Sequence, residues 1–544
     1  MASDVPVSAM DRRKGRAAAP GLAAGPLLVL EEGRAGASPR AIGTPDREAA
    51  DLRAAMGAAG EDLTALIAAA GDGEAEGMLA FQLALLEDDV LTDGAFDAIA
   101  AGTPADAAFR AALDAQIADY AAAEDTYFRA RASDLEDLRD RVLRRLAGVD
   151  DGDLPGDAII VARDLAPSRF LAIRWSGGGL ALGRGSSTSH VAILARARGV
   201  PMVVGLDTGG LEDGAPALLD GTEGTLTVRP DAATAITFER LNHERAERHA
   251  AEATFLPRPA ITADGERVRV MINIGGPDDL TAVDPAHVDG IGLVRTEFLF
   301  DGRDRLPDEE EQVAVYRRIL DWAGDRSVTI RTLDAGGDKP IPGLTRVGET
   351  NPFLGVRGVR LSLRRPEVFR VQLRALARAA TAGNLKVMVP MVSVPEEMAQ
   401  CRALFDSAMA ELGAEGVPAA RPPLGMMVEV PAAALTVDAF AADFLSIGSN
   451  DLIQYTMAAS RDEPELAALA EPSPAVLELI RRVAAHGAAA GREVSLCGDL
   501  GGDPRHVPAL LTAGLRTLSM APPAVGAVKA AIGRWRASER QDGA

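Results

Sequence analysis

A single histidine follows a run of small and hydroxylated residues in the first half of the chain. His190 comes directly after residues 185–189, Gly-Ser-Ser-Thr-Ser, and directly before residues 191–196, which have the apolar pattern of a helix. A neutral imidazole nitrogen in this setting can attack phosphorus, and the N–H groups of the helix's first turn can bind phosphoryl oxygens. The alternative is a histidine that ends a loop and pairs with a carbonyl. Because the chain has only six histidines, we favour the nucleophile.

Polar residues also stand at the ends of predicted strands in the C-terminal half. Arg295, Arg331, Glu429, residues 449–451 and Cys497 each follow a different strand-like run. An arginine at a strand end is more often a surface ion pair than a ligand. The coincidence across five strands nevertheless favours a common site.

The ligand predicted for this site is a small polyanion. Arg295, Arg331, Arg357 and Arg461 offer bidentate forks suited to phosphate and carboxylate. A loop with Asp334, Asp338 and Lys339 can close over a phosphate.

Two carboxylates and one thiol complete the candidate chemistry. Glu429 and Asp451 are hard oxygen donors, too few to enclose calcium but suited to Mg²⁺, which keeps waters and takes further ligands from its substrate. For Cys497, residue type alone leaves a buried inert thiol and a proton donor equally open.

The elements that must position the C-terminal residues alternate regularly. Eight strand-like runs separated mostly by helical patterns predict a closed (β/α)₈ barrel, whose chemistry lies at the C-terminal ends of its strands. An open doubly wound sheet is disfavoured, because no Gly-x-Gly-x-x-Gly follows the first strand. The runs are residues 268–273, 290–294, 328–330, 385–389, 424–428, 444–447, 494–496 and 517–520.

The N-terminal half reads as an α/β unit that contains a helical insertion. The Ala-, Leu-, Glu- and Arg-rich sequence from Thr44 to about Asp150 predicts a helical bundle or hairpin, with breaks at residues 71–73 and 102–104. An extended segment at residues 25–30 and strand-like runs further along predict the sheet near His190. A polar helical pattern from about 231 to 254 predicts an exposed connector. The strand-like runs that follow the helical insertion are residues 157–162, 199–205 and 224–228.

Composition limits the classes of partner. The chain has 544 residues, enough for about two to four domains. Its net charge of −22 argues against nucleic acid as a partner, since phosphates would be repelled over most of the surface. No apolar run is long enough to span a bilayer, so we expect a cytoplasmic protein. Cys401 and Cys497 are too far apart for a Cys-x-x-Cys pattern, which argues against a disulfide scaffold or zinc site.

Four longer motifs resemble those of phosphoenolpyruvate-utilising enzymes. They are residues 294–299 (VRTEFL), 351–357 (NPFLGVR), 446–456 (SIGSNDLIQYT) and 496–499 (LCGD). Within this group the chain is most similar to enzyme I of the phosphoenolpyruvate:sugar phosphotransferase system, and the resemblance covers nearly all of it.

The resemblance implies a multidomain α/β fold. It assigns residues 1–43 and 150–229 to a swivelling α/β phosphohistidine domain and residues 44–149 to an inserted helical subdomain that binds the phosphocarrier HPr. Residues 230–258 would be a helical linker, and residues 259–544 a (β/α)₈ TIM barrel that binds phosphoenolpyruvate.

The resemblance also implies roles for single residues. His190 would carry the phosphoryl group on Nε2 and pass it to a histidine of HPr, and Cys497 would protonate the enolate to give pyruvate. Glu429 and Asp451 would bind Mg²⁺. The residues implied to hold phosphoenolpyruvate are Arg295, Arg331, Asn450 and Arg461, and we assign Asp451, Arg357 and Lys339 to the same site.

The implied function is that of a phosphoenolpyruvate-protein phosphotransferase, the first step of sugar uptake, in a homodimer formed through the barrel. One alternative is a nitrogen-type regulatory enzyme, which usually carries an additional N-terminal sensory domain. Another is a dikinase or synthase that charges its histidine from ATP, but the residues before the first predicted strand are too few for a nucleotide-binding domain.

Three departures from the family pattern bear on these expectations. Ser186 and Ser187 stand within a segment that is usually Gly-Gly-Arg, and the acidic residue common just upstream is absent from residues 181–184. Gln82 occupies a position near the docking helices that is commonly histidine. We expect the first two to affect the stability of the phosphohistidine, and the third to affect carrier preference. Acidic residues around 85–89 would suit a basic carrier surface.

Overall fold

The chain divides into two compact units, residues 1–245 and residues 246–544. None of the helices in the described part of the chain is both long and apolar enough to cross a membrane. The computed structural model describes residues 10–30, 42–70, 74–86, 89–122, 126–148, 154–186, 189–281, 283–300, 305–337, 339, 341–346, 348–460, 466, 469 and 471–537.

A helical bundle occupies part of the first unit. Its core consists mainly of leucine and alanine side chains with Phe109 at the centre, all fully or nearly fully buried. The buried carboxylate of Glu48 accepts hydrogen bonds from the backbone N–H groups of Gly43 (2.7 Å) and Ala105 (2.8 Å), which fixes the start of the fourth helix. The helices are α1 (Pro45–Ala70), α2 (Glu74–Leu86), α3 (Asp89–Ala100), α4 (Ala105–Ala122) and α5 (Thr126–Leu146).

The rest of the first unit is an eight-stranded mixed sheet. Its strands are β1 (Asp11–Lys14), β2 (Arg16–Ala19), β3 (Leu22–Leu30), β4 (Ile159–Ala162), β5 (Gly179–Leu182), β6 (Met202–Val204), β7 (Pro216–Asp220) and β8 (Thr225–Val228). They lie in the order β1-β8-β7-β3-β4-β5-β6-β2. The run β3-β4-β5-β6 is parallel and the other pairs are antiparallel. The sequence patterns missed β1, β2, β5 and β7.

Buried polar contacts join the bundle to a helix beside the sheet, α6 (Pro167–Ala172). Ser168 Oγ donates to Asp137 Oδ1 of α5 (2.7 Å), and Arg141 Nη2 of the same helix donates to Ser168 Oγ (2.6 Å). Gln82 of α2 is also buried and donates to Asp137 Oδ2 (3.1 Å). The position that departs from the family pattern therefore lies inside the bundle, next to its junction with the sheet.

The helix that begins at the candidate nucleophile is α7 (His190–Arg198). Ser189 caps its first turn, since its Oγ accepts from the N–H of Ala192 (3.4 Å). Gly199 ends it in the left-handed conformation with φ 65°, and its N–H donates to the carbonyls of Ala195 and Arg196. Both ends of this helix are thus fixed by the local sequence.

The next helix, α8 (Ala232–Ala253), crosses the boundary between the two units. None of its residues, all of which the structure describes, is buried. The prediction of an exposed helix over residues 231–254 is confirmed.

A closed barrel of eight parallel strands forms the centre of the second unit. Its strands begin and end within about two residues of the predicted runs, and the prediction of a C-terminal (β/α)₈ barrel is confirmed. They are β9 (Arg269–Ile274), β10 (Gly290–Val294), β11 (Ser327–Arg331), β12 (Leu385–Val389), β13 (Leu424–Val428), β14 (Leu445–Gly448), β15 (Val494–Cys497) and β16 (Thr517–Met520).

Side chains alternate between the outer and inner faces of these strands and form two apolar clusters. Outward side chains pack against the surrounding helices in the main core, whereas Leu293, Met388, Met427, Phe444 and Cys497 form a separate small cluster inside the barrel. The helices are α9 (Glu309–Ala323), α10 (Val359–Arg364), α11 (Pro366–Ala379), α12 (Pro395–Ala414), α13 (Pro431–Leu435), α14 (Ser449–Met457), α15 (Pro474–Ala490), α16 (Asp499–Gly502), α17 (Val507–Thr512) and α18 (Val525–Arg534).

The end of α7 provides a test of local backbone constraint. Gly199→Ala should lower the free energy of unfolding of the first unit by about 1 kcal/mol, because φ 65° is strained for any residue with a Cβ. The matched control is Gly57→Ala, at an exposed position inside α1 with open space around the added methyl. That change should raise the free energy of unfolding by about 0.5–1 kcal/mol. Urea denaturation measures both, and equal effects of the two changes would contradict the assignment.

Candidate active site

The C-terminal ends of four barrel strands bring the predicted residues to one rim. Arg331 is the last residue of β11 and Cys497 the last of β15. Glu429 directly follows β13, and Asn450 and Asp451 lie in the first turn of α14, directly after β14. A parallel barrel places all of these strand ends at the same face.

The centre of this rim is the fully buried carboxylate of Asp334, which lies just after β11. Three cations surround it. Arg357 Nη2 is 3.0 Å from Asp334 Oδ2, Arg331 Nη1 is 3.1 Å from the same oxygen, and Lys339 Nζ is 3.8 Å from it. Burial alone would raise the pKa of Asp334, but the charges of Arg331, Arg357 and Lys339 outweigh burial and hold that pKa well below its usual value.

Arg331 is held from two sides. Besides its contact with Asp334, its Nη2 donates to Glu297 Oε1 (3.0 Å), and the same oxygen accepts from the N–H of Asp334 (3.0 Å). Its Nε is buried and has no hydrogen-bond partner among the described residues. A buried guanidinium with one unused donor is suited to an anionic ligand.

Arg357 bridges two carboxylates. Its guanidinium donates to both oxygens of Asp334 and lies 3.3 Å (Nη1 to Oδ1) and 3.4 Å (Nη2 to Oδ2) from Asp451. Nη1 also donates to the hydroxyl of Tyr455, which itself donates to the carbonyl of Phe353 (2.6 Å). Arg357 therefore connects the loop after β11 to the helix after β14.

Glu429 is fully buried, and its Oε1 accepts a 2.6 Å hydrogen bond from the N–H of Met391. Burial, together with the negative charges of Asp451 and Asp334, raises the pKa of Glu429 to about 8, although Arg331 and the hydrogen bond from Met391 act to lower it. The close packing here requires a glycine, because a Cβ on Gly448 would lie 2.7 Å from Glu429 Oε2.

The carboxylates meet the requirements of one kind of cation. Among the described residues there is no group of three or more His, Cys, Asp or Glu side chains arranged to hold a metal ion. A protein site for Mg²⁺ usually has only one or two carboxylates, with waters and substrate completing it. Burial and the neighbouring charges of Asp451 and Asp334 raise the pKa of Glu429, and a divalent cation would stabilise its ionised form. The residues present therefore fit Mg²⁺ and not a metal fully enclosed by protein ligands.

Cys497 lies in the wall of the barrel beneath the rim and is 1% exposed. Burial raises the pKa of its thiol to about 11, a hydrogen bond from Ser446 lowers it, and the charge of Glu429 raises it. The sulfur therefore carries its proton at neutral pH.

The remaining predicted residues differ in how they are held. Asn450 Oδ1 accepts from the N–H of Asp499 (2.9 Å), and Asn450 Nδ2 donates to Asp499 Oδ2 (3.1 Å). Arg295 follows β10, is exposed, and has no side-chain partner among the described residues. Its charge contributes to the lowered pKa of Lys339, after burial and Arg331. Arg461 and Asp338 lie outside the described residues.

His190 belongs to the other unit, where it is the first residue of α7. Its side chain is outside the described set, as are Ser187 and Thr188. Ser186 is exposed, and Gly185 just before it has φ 101°, a conformation that favours glycine.

The rim also contains residues that sequence reasoning did not assign to the site. Glu297 positions Arg331, Tyr455 positions Arg357, and the N–H of Met391 binds Glu429. Glu297 and Tyr455 are within the quoted motifs, so their motif positions were a usable signal. Met391 contributes only a backbone group, which no residue type indicates.

Comparison with known proteins shows which family the chain belongs to. The sequence matches three family descriptions: "PEP-utilising enzyme, N-terminal" over residues 14–131, "PEP-utilising enzyme, mobile domain" over 154–224, and "PEP-utilising enzyme, PEP-binding domain" over 249–536. A protein of Bacillus sp. (strain S) named phosphoenolpyruvate-protein phosphotransferase is 37% identical over 521 residues, which cover 93% of this chain and 90% of that protein. The chain belongs to the phosphoenolpyruvate-protein phosphotransferase family.

Two further relatives carry the same name. That of Bacillus subtilis (strain 168) is 40% identical over 407 residues, covering 73% of this chain and 71% of the relative. That of Haloferax volcanii is 40% identical over 479 residues, covering 84% and 81%. The resemblance based on four motifs is confirmed, and the chain is a phosphotransferase enzyme.

The raised pKa of Glu429 predicts a pH dependence of stability in the absence of divalent cations. Its ordinary pKa is 4.5 and its pKa in the folded protein is about 8, so the folded state binds more protons than the unfolded state between these values. Stability should therefore fall as pH rises from about 4.5 and level off above about 8.

Glu429→Gln removes this titration. In EDTA, wild-type protein should lose about 3 kcal/mol more of its free energy of unfolding than the variant between about pH 6 and about pH 9. Denaturant titrations of both proteins at the two pH values measure the difference. Parallel losses would mean that Glu429 is already charged in the folded protein at neutral pH.

Proposed function

We propose that this enzyme takes the phosphoryl group of phosphoenolpyruvate onto His190 and passes it to a histidine of HPr, releasing pyruvate in the first step of sugar uptake. The observation that carries the proposal is the rim of the barrel, where a buried arginine with an unused donor lies near a protonated thiol. Arg331 Nη1 and Cys497 share Met427 as a neighbour, and the charge of Arg331 acts on the thiol.

Phosphoenolpyruvate is an anion, and its negative charges complement the arginine and lysine side chains of the rim. Its phosphate and carboxylate would be bound by Arg331 through Nε and by the exposed Arg295, with Asn450 and Lys339 at the edge. We assign Arg461, on the segment after α14, to the same ligand. Because Glu297 and Asp334 already orient Arg331, little side-chain ordering is needed on binding.

Two side chains of this chain, those of His190 and Cys497, would carry out the reaction. His190 Nε2 attacks phosphorus, the bond from phosphorus to the enol oxygen breaks, and the enolate of pyruvate leaves. The thiol of Cys497 then gives its proton to the methylene carbon, which completes pyruvate and leaves a thiolate. The pKa of about 11 keeps this proton in place until the enolate, a stronger base, forms.

Glu429 and Asp451 would hold Mg²⁺. When bound, this ion supplies positive charge to the phosphate and enolate oxygens of the substrate. Arg357 is already paired with Asp334 and Asp451, and it would help to orient Asp451.

The nucleophile and the rim belong to different units of the chain, so the transfer requires them to meet. We assign the hinge to the region of α8, the helix without a buried residue that crosses the boundary between the units. This helix lies within the linker expected at residues 230–258.

The HPr site is assigned to the helical bundle of residues 44–149. Leu85 and Leu86 contribute to its core, so the docking surface would be the polar residues around them. The net charge of −22 favours a basic partner surface and a fast, salt-sensitive encounter.

We also propose that the enzyme acts in the cytoplasm and forms a homodimer through the barrel.

His190→Ala should abolish phosphorylation of the protein. Incubation with ³²P-labelled phosphoenolpyruvate and Mg²⁺ should give wild-type protein an acid-labile, alkali-stable label, as expected for a phosphohistidine. The matched control is His249→Ala, at an exposed position on α8, which should take up label as wild type does. Label that survives His190→Ala would refute the nucleophile assignment.

Cys497→Ala should leave phosphoenolpyruvate binding intact and slow pyruvate formation by about 100-fold, since the enolate loses its proton donor. Calorimetric titration measures the binding, and a coupled lactate dehydrogenase assay with HPr present measures pyruvate. The other cysteine is the control: Cys401 lies on α12 in the outer core, so Cys401→Ala should keep normal turnover. Normal turnover by Cys497→Ala would contradict the proton-donor role.

A further inference from the structure

Two serine hydroxyls and the thiol of Cys497 form a continuous hydrogen-bonded chain. Ser495 Oγ donates to Ser446 Oγ (3.0 Å), and Ser446 Oγ donates to Cys497 Sγ (3.4 Å). The thiol in turn donates to the carbonyl of Ile447 (3.6 Å). All three donors therefore point in the same direction along the chain.

The hydroxyls lie inside the barrel. Ser446 on β14 and Ser495 on β15 are direct neighbours in the parallel ladder, and Gly448 and Cys497 are the next inward pair. Ser446 is fully buried and Ser495 is 8% exposed. A buried hydroxyl needs a hydrogen-bond partner, and here the three groups serve one another.

The end of β15 nearest to Ser495 lies beside a partly exposed ion cluster. Two residues before Ser495 is Glu493, whose carboxylate pairs with Lys386 Nζ (2.6 Å) and Arg269 Nη2 (2.9 Å) at the N-terminal end of the barrel. The side chain of Glu493 is 28% exposed. The strand β15 thus runs from a solvated ion cluster to the buried thiol.

The proposed reaction leaves Cys497 without its proton after every turnover. At 1% exposure the sulfur has little direct access to water. Because burial raises the pKa of the thiol to about 11, the thiolate is a strong base that takes up a proton at neutral pH from any donor in reach. The donor in contact with it is Ser446.

We propose that Ser446 and Ser495 relay protons from water at the N-terminal end of the barrel to Cys497, which prepares the thiol for the next turnover. This inference rests on the proposed function. In the step, the O–H bond of Ser446 breaks as the S–H bond forms. The proton of Ser495 moves to Ser446, and a water O–H bond breaks to give Ser495 a new proton, which leaves hydroxide in the solvent. Both serines are positioning residues, because Ser446 acts on the thiol directly and Ser495 acts on it through Ser446.

Two isotope exchanges measured together test the relay, and neither needs HPr. In the first, ¹⁴C-labelled pyruvate exchanges into phosphoenolpyruvate. This exchange needs no solvent proton, since the thiolate left by one pyruvate takes its proton back from the next. In the second, deuterium from D₂O enters the methyl group of pyruvate. That exchange requires the hydrogen on Cys497 to equilibrate with solvent.

Ser446→Ala should reduce the ratio of deuterium incorporation to carbon exchange about tenfold, while carbon exchange continues. Ser446→Thr keeps the hydroxyl and should restore the ratio, and Ser495→Ala should reduce it as Ser446→Ala does. The matched control is Ser519→Ala, on the neighbouring strand β16. Ser519 is equally buried, but its hydroxyl donates to Asn273 Oδ1 (2.6 Å), so the ratio should stay at the wild-type value.

A wild-type ratio in Ser446→Ala would overturn the relay. So would an equal loss of both exchanges, because that result indicates only structural damage to the barrel. An absence of carbon exchange in the wild-type enzyme would instead refute the proposed function, and the relay with it.

Discussion

The rim of the barrel depends on one buried negative charge. Asp334 has no exposure to solvent, yet it stays ionised because Arg331, Arg357 and Lys339 surround it. Without this carboxylate, two guanidinium groups would be buried close together with too little compensation, a costly arrangement in a low-dielectric interior. Ionised Asp334 therefore allows these three cations to be assembled without a bound anion, an arrangement of the kind that underlies electrostatic preorganisation.

Hydrogen bonds between side chains and the backbone also make this arrangement rigid. Carboxylates of the rim bind backbone N–H groups from neighbouring loops: Glu297 binds the N–H of Asp334, and Glu429 binds that of Met391. Gly448 allows Glu429 to approach β14, because any larger residue would collide with the carboxylate. The loops are thus fixed to one another by the same side chains that provide charge.

The sequence was sufficient for the barrel and for most of its rim. Its strands are short, apolar and bounded by turns, so their limits could be predicted to within about two residues, and the strand ends indicated which polar residues lie together. The edge strands β1 and β2 are rich in arginine and alanine, and β5 is four residues long and begins with glycine; these do not have a strand-like composition. Contacts between side chains of different strands were also beyond prediction. Ser446 and Ser495 look like single polar residues in apolar runs until the register of β14 and β15 brings them together.

The exposed helix α8 has a consequence for the integrity of the chain. A helix with no buried residue gains little from tertiary packing, so its order depends largely on alanine content and on surface pairs such as Arg240 with Glu244. Each neighbouring unit has a core of its own. A protease should therefore nick α8 first and leave two folded fragments. Once the covalent tether is cut, the fragments would meet only by diffusion. The rate of the proposed phosphoryl transfer between them would then depend on their concentrations and no longer on the local concentration that the tether imposes.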